Sequence, residues 1–388
     1  MEALIIIPSC PVWRSGKSLI FDRKFYDGML RYVEEWTGAV ITIMRLSNSP
    51  FPEFGYIEIK ENDIPFSVIT LSKNEKVKYK HLKTGSIVLA SGDSSDQLHV
   101  SHLCKKHMMK CVYVIEYILE TRYQIMNLQA SNPIIKLRRQ FFIWNTERKR
   151  RTAFKKADGI QANGVAAYNE YKKFGNCLLY FDTRIFSGIF ISNEELNNRL
   201  NSLSKKRPLR LAYSGRLISM KGADHLIEIA IILKRRKVDF NMTIYGDGEL
   251  KENIIEKIQE YNLSREITII GTVDFYNVLI PEIKNHVDLY LLLHRQSDPS
   301  CTYLETLSCG IPIVGYANKA FSGLLQKADI GWAKSIDDLE GIADIIEFLD
   351  YNRDEIRKKS TNSVIFSREH DFETTYKNRI KHIQELVN

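Results

Sequence analysis

The chain has 388 residues, 44% of them hydrophobic and 26% charged. That balance excludes a disordered chain, a collagen and a coiled coil, and at roughly 100–200 residues per domain the length favours two domains. No stretch reaches the ~20 apolar residues a membrane span needs, and Ala3–Ile7, preceded by acidic Glu2, is too short for a signal-peptide core. Cys10, Cys104, Cys111, Cys177, Cys301 and Cys309 lack CxxC spacing and read as reduced thiols, so a soluble cytoplasmic protein is expected. Lys and Arg number 55 against 47 acids, a net charge of +8. The segment Lys136–Lys156 carries nine basic residues and one acid, Glu147, so the whole excess lies in one stretch.

Strand-like apolar runs appear in the first half at Ala3–Ile7, Ala39–Leu46, Ser86–Ala90, Cys111–Ile115, Gly159–Ala162 and Cys177–Phe181. The second half continues with Leu209–Tyr213, Phe240–Tyr245, Ile267–Ile270, Val287–Leu292 and Ile311–Val314. Helix-like segments lie between many of them, among them Lys24–Glu35, Pro133–Lys156, Asp224–Arg236 and Leu250–Tyr261. This alternation predicts an α/β chain of parallel sheets covered by helices on both faces. A polar stretch at 191–207 reads as a linker between a domain over 1–190 and one over 208–366, and the spacing of Phe372, Tyr376, Ile380, Ile383 and Val387 behind an Asp371 N-cap predicts a terminal helix within 367–388 that packs back on the first domain. The first strand of each half is expected to lead through a glycine loop into a helix, at Ser15-Gly16-Lys17 and at Ser214-Gly215-Arg216. Two doubly wound domains would put their strand C-termini at a shared cleft suited to a nucleotide-type ligand.

The second half carries the densest chemistry. In "YSGRLISMKGADH", Arg216 and Lys221 flank a strand-to-helix turn, where backbone amides and cations can hold an anion. "IYGDGEL" and "IIGTVDF" repeat the strand-then-glycine pattern at Gly246 and at Thr272–Val273. In "HRQSDPSCTYLETLSCGIPIVGY", Ser297, Asp298 and Ser300 are candidate N-caps for a helix over Thr302–Cys309. The amides of Cys301, Thr302 and Tyr303 would then form a second anion site, and Glu305 would either accept ligand hydroxyls or cap internally.

The order SGR-x4-KG, GDGE, GT and DPSCTYLETLSCGIPIVG resembles the donor domain of GT-B glycosyltransferases of the family-4 (group 1) type, over Pro208 to about Phe366. The resemblance implies a GT-B fold of two doubly wound Rossmann-like domains facing a central cleft. It also implies transfer of a sugar from a nucleotide sugar with retention of configuration and without a divalent metal or other cofactor. By that resemblance Arg216 and Lys221 neutralise the donor diphosphate, Glu305 accepts ribose hydroxyls, the Cys301–Tyr303 amides meet phosphate and sugar, and Gly215, Gly246, Thr272 and Val273 frame the nucleotide. The first glutamate of the family's EX7E motif is replaced by Ser297, next to Asp298, so these two would contact the donor sugar differently from the family pattern.

The first domain would bind the acceptor and complete the donor site, with Gly16 and Lys17 near the diphosphate. Glu116, at the end of the Cys111–Ile115 strand, occupies the place where many relatives have a histidine, and would bind or activate a hydroxyl. Asp182 and Arg184 are candidates for hinge contacts only, and Asp93–Asp96 reads as a polar turn. The basic stretch reads as a solvated helix face or, with Ile134, Leu137, Phe141, Phe142 and Trp144 as anchors, as a surface for anionic membranes; a nucleic-acid partner is not expected. The expected function is a UDP- or GDP-sugar transferase acting on a glycan or lipid-linked saccharide in bacterial surface polysaccharide synthesis. The rivals are a GT-B nucleotide-sugar 2-epimerase and a degenerate GT-B binding protein.

Overall fold

The structure, a computed structural model, describes residues 3–51, 55–129, 132–204 and 207–387. Glu2, Lys205 and Lys206 of the linker reading, and Asn388 of the terminal-helix reading, lie outside the described residues. The chain divides into two compact units, Met1–Phe181 with Glu373–Asn388, and Asp182–Phe372.

The first unit is built on seven parallel strands, in spatial order Cys177–Tyr180, Gly159–Asn163, Lys110–Ile115, Gly85–Ser91, Ala3–Ile7, Val40–Arg45 and Ser67–Leu71. Ala3–Ile7 is buried at every position, as a strand covered on both faces must be, and its five apolar residues provide no polar face. In chain order these strands read 7-6-5-4-1-2-3 across the sheet, so the order reverses between Ala3–Ile7 and Gly85–Ser91. The terminal helix spans Phe372–Val387, and Tyr376, Ile380 and Ile383 are buried. The Tyr376 ring meets Tyr32 at 5.5 Å, and Arg379 donates through Nε to Gln161 Oε1 at 2.9 Å. Each such buried side chain contributes about 1.5–3 kcal/mol, enough to hold the last turns on this unit.

The loop after Ala3–Ile7 departs from the expected strand–glycine loop–helix. Trp13–Ser15 and Ser18–Asp22 form a hairpin, extended to three antiparallel strands by Tyr56–Lys60, and Gly16-Lys17 is its two-residue turn. Gly16 has φ +57°, the left-handed region such turns require. The following helix, Arg23–Glu35, starts instead at Asp22, whose Oδ1 accepts from the Phe25 N–H at 2.8 Å.

The second unit holds six parallel strands in spatial order Ile267–Gly271, Phe240–Tyr245, Leu209–Ser214, Leu289–Leu292, Ile313–Tyr316 and Gly331–Lys334. In chain order that is 3-2-1-4-5-6, the doubly wound arrangement with its switch point between Leu209–Ser214 and Leu289–Leu292. Its core joins Leu209, Leu211 and Tyr213 to Leu226, Ile227 and Ala230 of the Ala223–Arg235 helix and to Ile342 and Ile346.

The polar stretch expected as a linker contains a helix, Asn193–Ser202, closed by a capping box. Ser192 Oγ accepts from the Glu195 N–H at 3.1 Å, and Glu195 Oε2 accepts from the Ser192 N–H at 2.7 Å. Among the described residues no helix is long and apolar enough to cross a membrane.

Candidate functional site

All six strands of the second unit run parallel, so their C-terminal loops share one end of the sheet. At the switch point the loop after Leu209–Ser214 is pressed against the end of Leu289–Leu292. Gly222 sits at φ +72°, where a Cβ would come within 2.2 Å of the Leu293 carbonyl oxygen, so this approach requires glycine. Gly246 is held equally close to Gly215, with 2.0 Å from a would-be Cβ to the Gly215 oxygen, and donates its N–H to the Gly271 oxygen at 2.8 Å. The three glycine turns expected around a nucleotide therefore lie side by side, with Thr272 and Val273 immediately after Gly271.

The two expected cations differ. Arg216 is exposed, and its guanidinium has no partner among the described residues. Lys221 is buried and donates through Nζ to Asp298 Oδ2 at 3.0 Å. The pair joins the two loops of the switch point. Asp298 therefore does not cap the following helix, and neither does Ser297, whose buried Oγ accepts from the Lys319 N–H at 3.1 Å.

The helix is Thr302–Ser308, with Cys301 at its N-cap position and no side-chain cap. The Tyr303 N–H is already taken by the Ser300 oxygen at 3.2 Å, so it does not join the expected anion site. The Tyr303 ring is buried, stacked on Phe321 at 5.6 Å.

Glu305 is buried and accepts through Oε1 from Arg184 Nε at 2.7 Å. Arg184, expected only at a hinge, lies over the Phe275 ring at 3.7 Å. Burial disfavours its charge, but the Glu305 carboxylate more than offsets that, and its pKa is raised. The helix is also held from its other end. Arg199, from the segment read as a linker, donates through Nη1 to the Cys309 oxygen at 2.7 Å and through Nη2 to the Gly310 oxygen at 2.6 Å, covering carbonyls that a helix C-terminus leaves open.

Sequence reasoning passed over two residues here, Gln296 and His294, which join Asp298 in an unusual cluster. Asp298 Oδ1, Gln296 Oε1 and His294 Nδ1 are all buried without a hydrogen-bond partner among the described residues. Three such atoms within five residues are unusual, because an unmade buried hydrogen bond costs about 1–3 kcal/mol. Burial, reinforced by the Lys221 charge, holds the His294 pKa well below the usual histidine range, so the ring is neutral. The sequence signal was the run of polar residues directly after an apolar strand at the switch point.

In the first unit Gly16 and Lys17 lie at the hairpin tip and not at a helix start. Glu116 is half-buried at the end of Lys110–Ile115 and accepts through Oε2 from Asn163 Nδ2 at 3.2 Å. Asp93, expected in a polar turn, organises this strand end. Its Oδ2 accepts from the Glu116 N–H at 2.9 Å, its Oδ1 from the Tyr117 N–H at 3.1 Å, and its carboxylate pairs with Arg122.

Comparison with solved structures adds the decisive observation on architecture. Anabaena HepE in complex with UDP superposes with a TM-score of 0.69 at 12% identity, over 99% of this chain and 100% of that one. Sucrose-phosphate synthase of Thermosynechococcus elongatus gives 0.66 at 14%, over 100% and 99%. The fold is GT-B. Residues 194–363 match the family model described as glycosyl transferases group 1, which covers most of the second unit of this GT-B chain. Among curated proteins, an uncharacterized glycosyltransferase of Haemophilus influenzae is 23% identical over 48% of this chain and 52% of its own length. The 2-deoxystreptamine N-acetyl-D-glucosaminyltransferase of Niallia circulans is 26% identical over 37% of this chain and 35% of its own. The chain thus spans about half or less of the length of the curated relatives it matches.

Proposed function

We propose that this protein is a retaining glycosyltransferase of family-4 type that takes its sugar from a nucleotide sugar, UDP-linked in preference to GDP-linked. The acceptor is a glycan or lipid-linked saccharide of bacterial surface polysaccharide. The observation that carries this reading is the switch point of the second unit, where three glycine turns, exposed Arg216 and the buried Lys221–Asp298 pair meet in a region matching glycosyl transferases group 1. The UDP bound to Anabaena HepE, a protein of the same fold, supports the choice of base.

In this reading the glycine turns let the diphosphate approach the backbone closely. Arg216 and Lys221 oppose the negative charge that grows on the leaving phosphate, which takes the proton of the acceptor hydroxyl. Asp298 holds the Lys221 ammonium in place through Oδ2, while Oδ1 and the neutral His294 ring offer acceptors to sugar hydroxyls. Glu305, oriented by Arg184, receives the ribose hydroxyls through its remaining acceptor capacity. Glu116, held by Asn163 and by the Asp93-bound turn, serves the acceptor hydroxyl.

The helix Pro133–Phe154 supports a peripheral place on anionic membranes. Ile134, Leu137, Phe141, Phe142 and Trp144 are all exposed, whereas Glu147, Arg150, Ala153 and Phe154 dock its C-terminal half. The basic stretch is therefore not one solvated face. Arg150 is buried against Glu147 at 2.5 Å, and Arg151 shares that carboxylate.

The test is a thermal-shift screen of nucleotides and nucleotide sugars, since a site ligand stabilises by mass action. Stabilisation by UDP, followed by its release from a UDP-sugar in the presence of EDTA, is expected. A screen without any stabilising nucleotide would overturn the reading, and epimer formation without an acceptor would favour the 2-epimerase.

A further inference from the structure

A cavity lies wholly within the first unit, between the helices Leu119–Gln129 and Pro133–Phe154 and the turn at Asp93. It has a volume of about 370 Å³, within the range of small-molecule sites. Nothing in the donor-site account uses it.

Its polar wall is cationic. Arg122, Arg139 and Arg150 line it against one carboxylate, Asp93. The Asp93 charge is already engaged by two backbone amides and by Arg122. The guanidinium donors are not all used. Arg122 spends Nη2 on Asp93 and on the Tyr117 oxygen, and its Nε is buried without a hydrogen-bond partner among the described residues. Arg150 spends Nε on the Gly92 oxygen at 2.7 Å and Nη1 on Glu147 at 2.5 Å, leaving Nη2 without a hydrogen bond among the described residues. Arg139 is exposed and has no partner among them. Three guanidinium groups with spare donors around one cavity match a tetrahedral oxyanion, whose oxygens accept several forked bonds at once.

The other wall is apolar. Met126 is buried there, and Phe142 lines the cavity while remaining 62% exposed, so the apolar wall reaches the surface at Phe142. A bare phosphate would leave this wall unused, and a plain hydrocarbon would leave the arginines unpaired.

We propose that this cavity binds the phosphate group of a phosphorylated amphiphile, its apolar chain leaving past Phe142, and that it is where a lipid-linked acceptor is anchored. The assignment of the ligand as acceptor rests on the transferase reading above; the binding itself does not. Asp93 ties the cavity to the amides of Glu116 and Tyr117, so an occupant at the arginines sits beside the strand end that carries Glu116.

The experiment is calorimetric titration of the full chain with geranyl monophosphate, inorganic phosphate and geraniol, with UDP titrated in parallel to report on the donor site. Geranyl monophosphate is expected to saturate one site, with inorganic phosphate and geraniol each at least thirtyfold weaker. Arg139→Gln and Phe142→Ser, both at exposed positions, should each weaken the amphiphile about tenfold and leave UDP binding and the melting temperature unchanged. Equal affinity for inorganic phosphate would make this a simple anion site, and equal affinity for geraniol a simple apolar one; either overturns the proposal. So would amphiphile binding that is absent, or that neither variant changes. Loss of UDP binding alone would strike the donor reading and leave this site standing.

Discussion

Replacing Lys221 with Met removes one half of a buried ion pair whose other half is already under-satisfied. Asp298 Oδ1 has no hydrogen-bond partner among the described residues, and Oδ2 would lose the Lys221 Nζ that now lies at 3.0 Å. Breaking a buried pair from one side costs about 3–5 kcal/mol, because the remaining charge is stranded. For a unit of this size each kcal/mol shifts the midpoint by about 2–4 °C, so a fall of roughly 6–20 °C in Tm is expected. If Lys221 also faces the diphosphate, the loss of a charge-assisted bond weakens UDP by about 1.5–3 kcal/mol, or about 10–100-fold in Kd. The two effects separate in the neutral pair Lys221→Met with Asp298→Asn. There the stranded charge is gone, so most of the stability should return while UDP affinity stays low. The assay is a thermal melt and a UDP titration on wild type, both single variants and the double variant. A single Lys221→Met variant that melts and binds UDP like wild type would refute both the burial argument and the site.

Glu305→Gln should raise the UDP Kd about tenfold, since the amide replaces an acceptor with a donor and loosens the hold on Arg184; unchanged UDP affinity in the titration would leave Glu305 only the task of orienting Arg184. The buried His294 has a folded pKa below its unfolded value of about 6.5. The unfolded chain therefore binds the proton first, and stability is full above about pH 6.5 and falls below it, by up to about 1.4 kcal/mol per pH unit for each such proton. His225, His370 and His382 are lowered by burial as well and steepen the same window. Urea melts from pH 7.5 to 5 should show that slope, and a His294→Gln variant with an unchanged slope would remove His294 from it. Co-sedimentation with anionic liposomes should be salt-sensitive and reduced in a variant with Arg138, Arg148, Lys149 and Lys156 changed to Gln. Those four are exposed, unlike Arg150. Wild type left in the supernatant at low salt would end the membrane reading.

What the sequence made legible was local. Ala3–Ile7 and Phe240–Tyr245 have the bounds read from the sequence; the first is buried at every position and so apolar throughout, while the second keeps a buried Phe240, Met242, Ile244 and Tyr245 around an exposed Asn241. Edge strands carry weaker signals. Ser67–Leu71 and Gly331–Lys334 lie at sheet edges, are partly exposed, and were not picked out. Two misreadings had usable signals. Ser192 and Glu195 form the S-x-x-E pattern of a capping box inside the supposed linker, and Gly16-Lys17 sits between two short apolar runs as a hairpin turn would.

The site divides in the same way. Glycine turns and their cations are contiguous in sequence and could be placed. Lys221–Asp298 and Arg184–Glu305 join residues 77 and 121 positions apart, and only the folded sheet reveals that these charges are paired. Expecting Asp298 to cap the next helix was reasonable for an acid two residues before a serine, but a buried lysine offers a carboxylate more than one further amide does.

The central claim is that the second unit holds a nucleotide sugar whose sugar is passed on. The most direct measurement is incubation of the purified protein with a UDP-sugar and a lipid-linked saccharide, following UDP release and reading the new linkage by NMR. The account predicts UDP release that depends on the acceptor, persists in EDTA, is lost in Arg216→Ala, and yields a product with the donor's anomeric configuration. An inverted product would contradict the retaining mechanism, and release that is unaffected in Arg216→Ala would contradict the site.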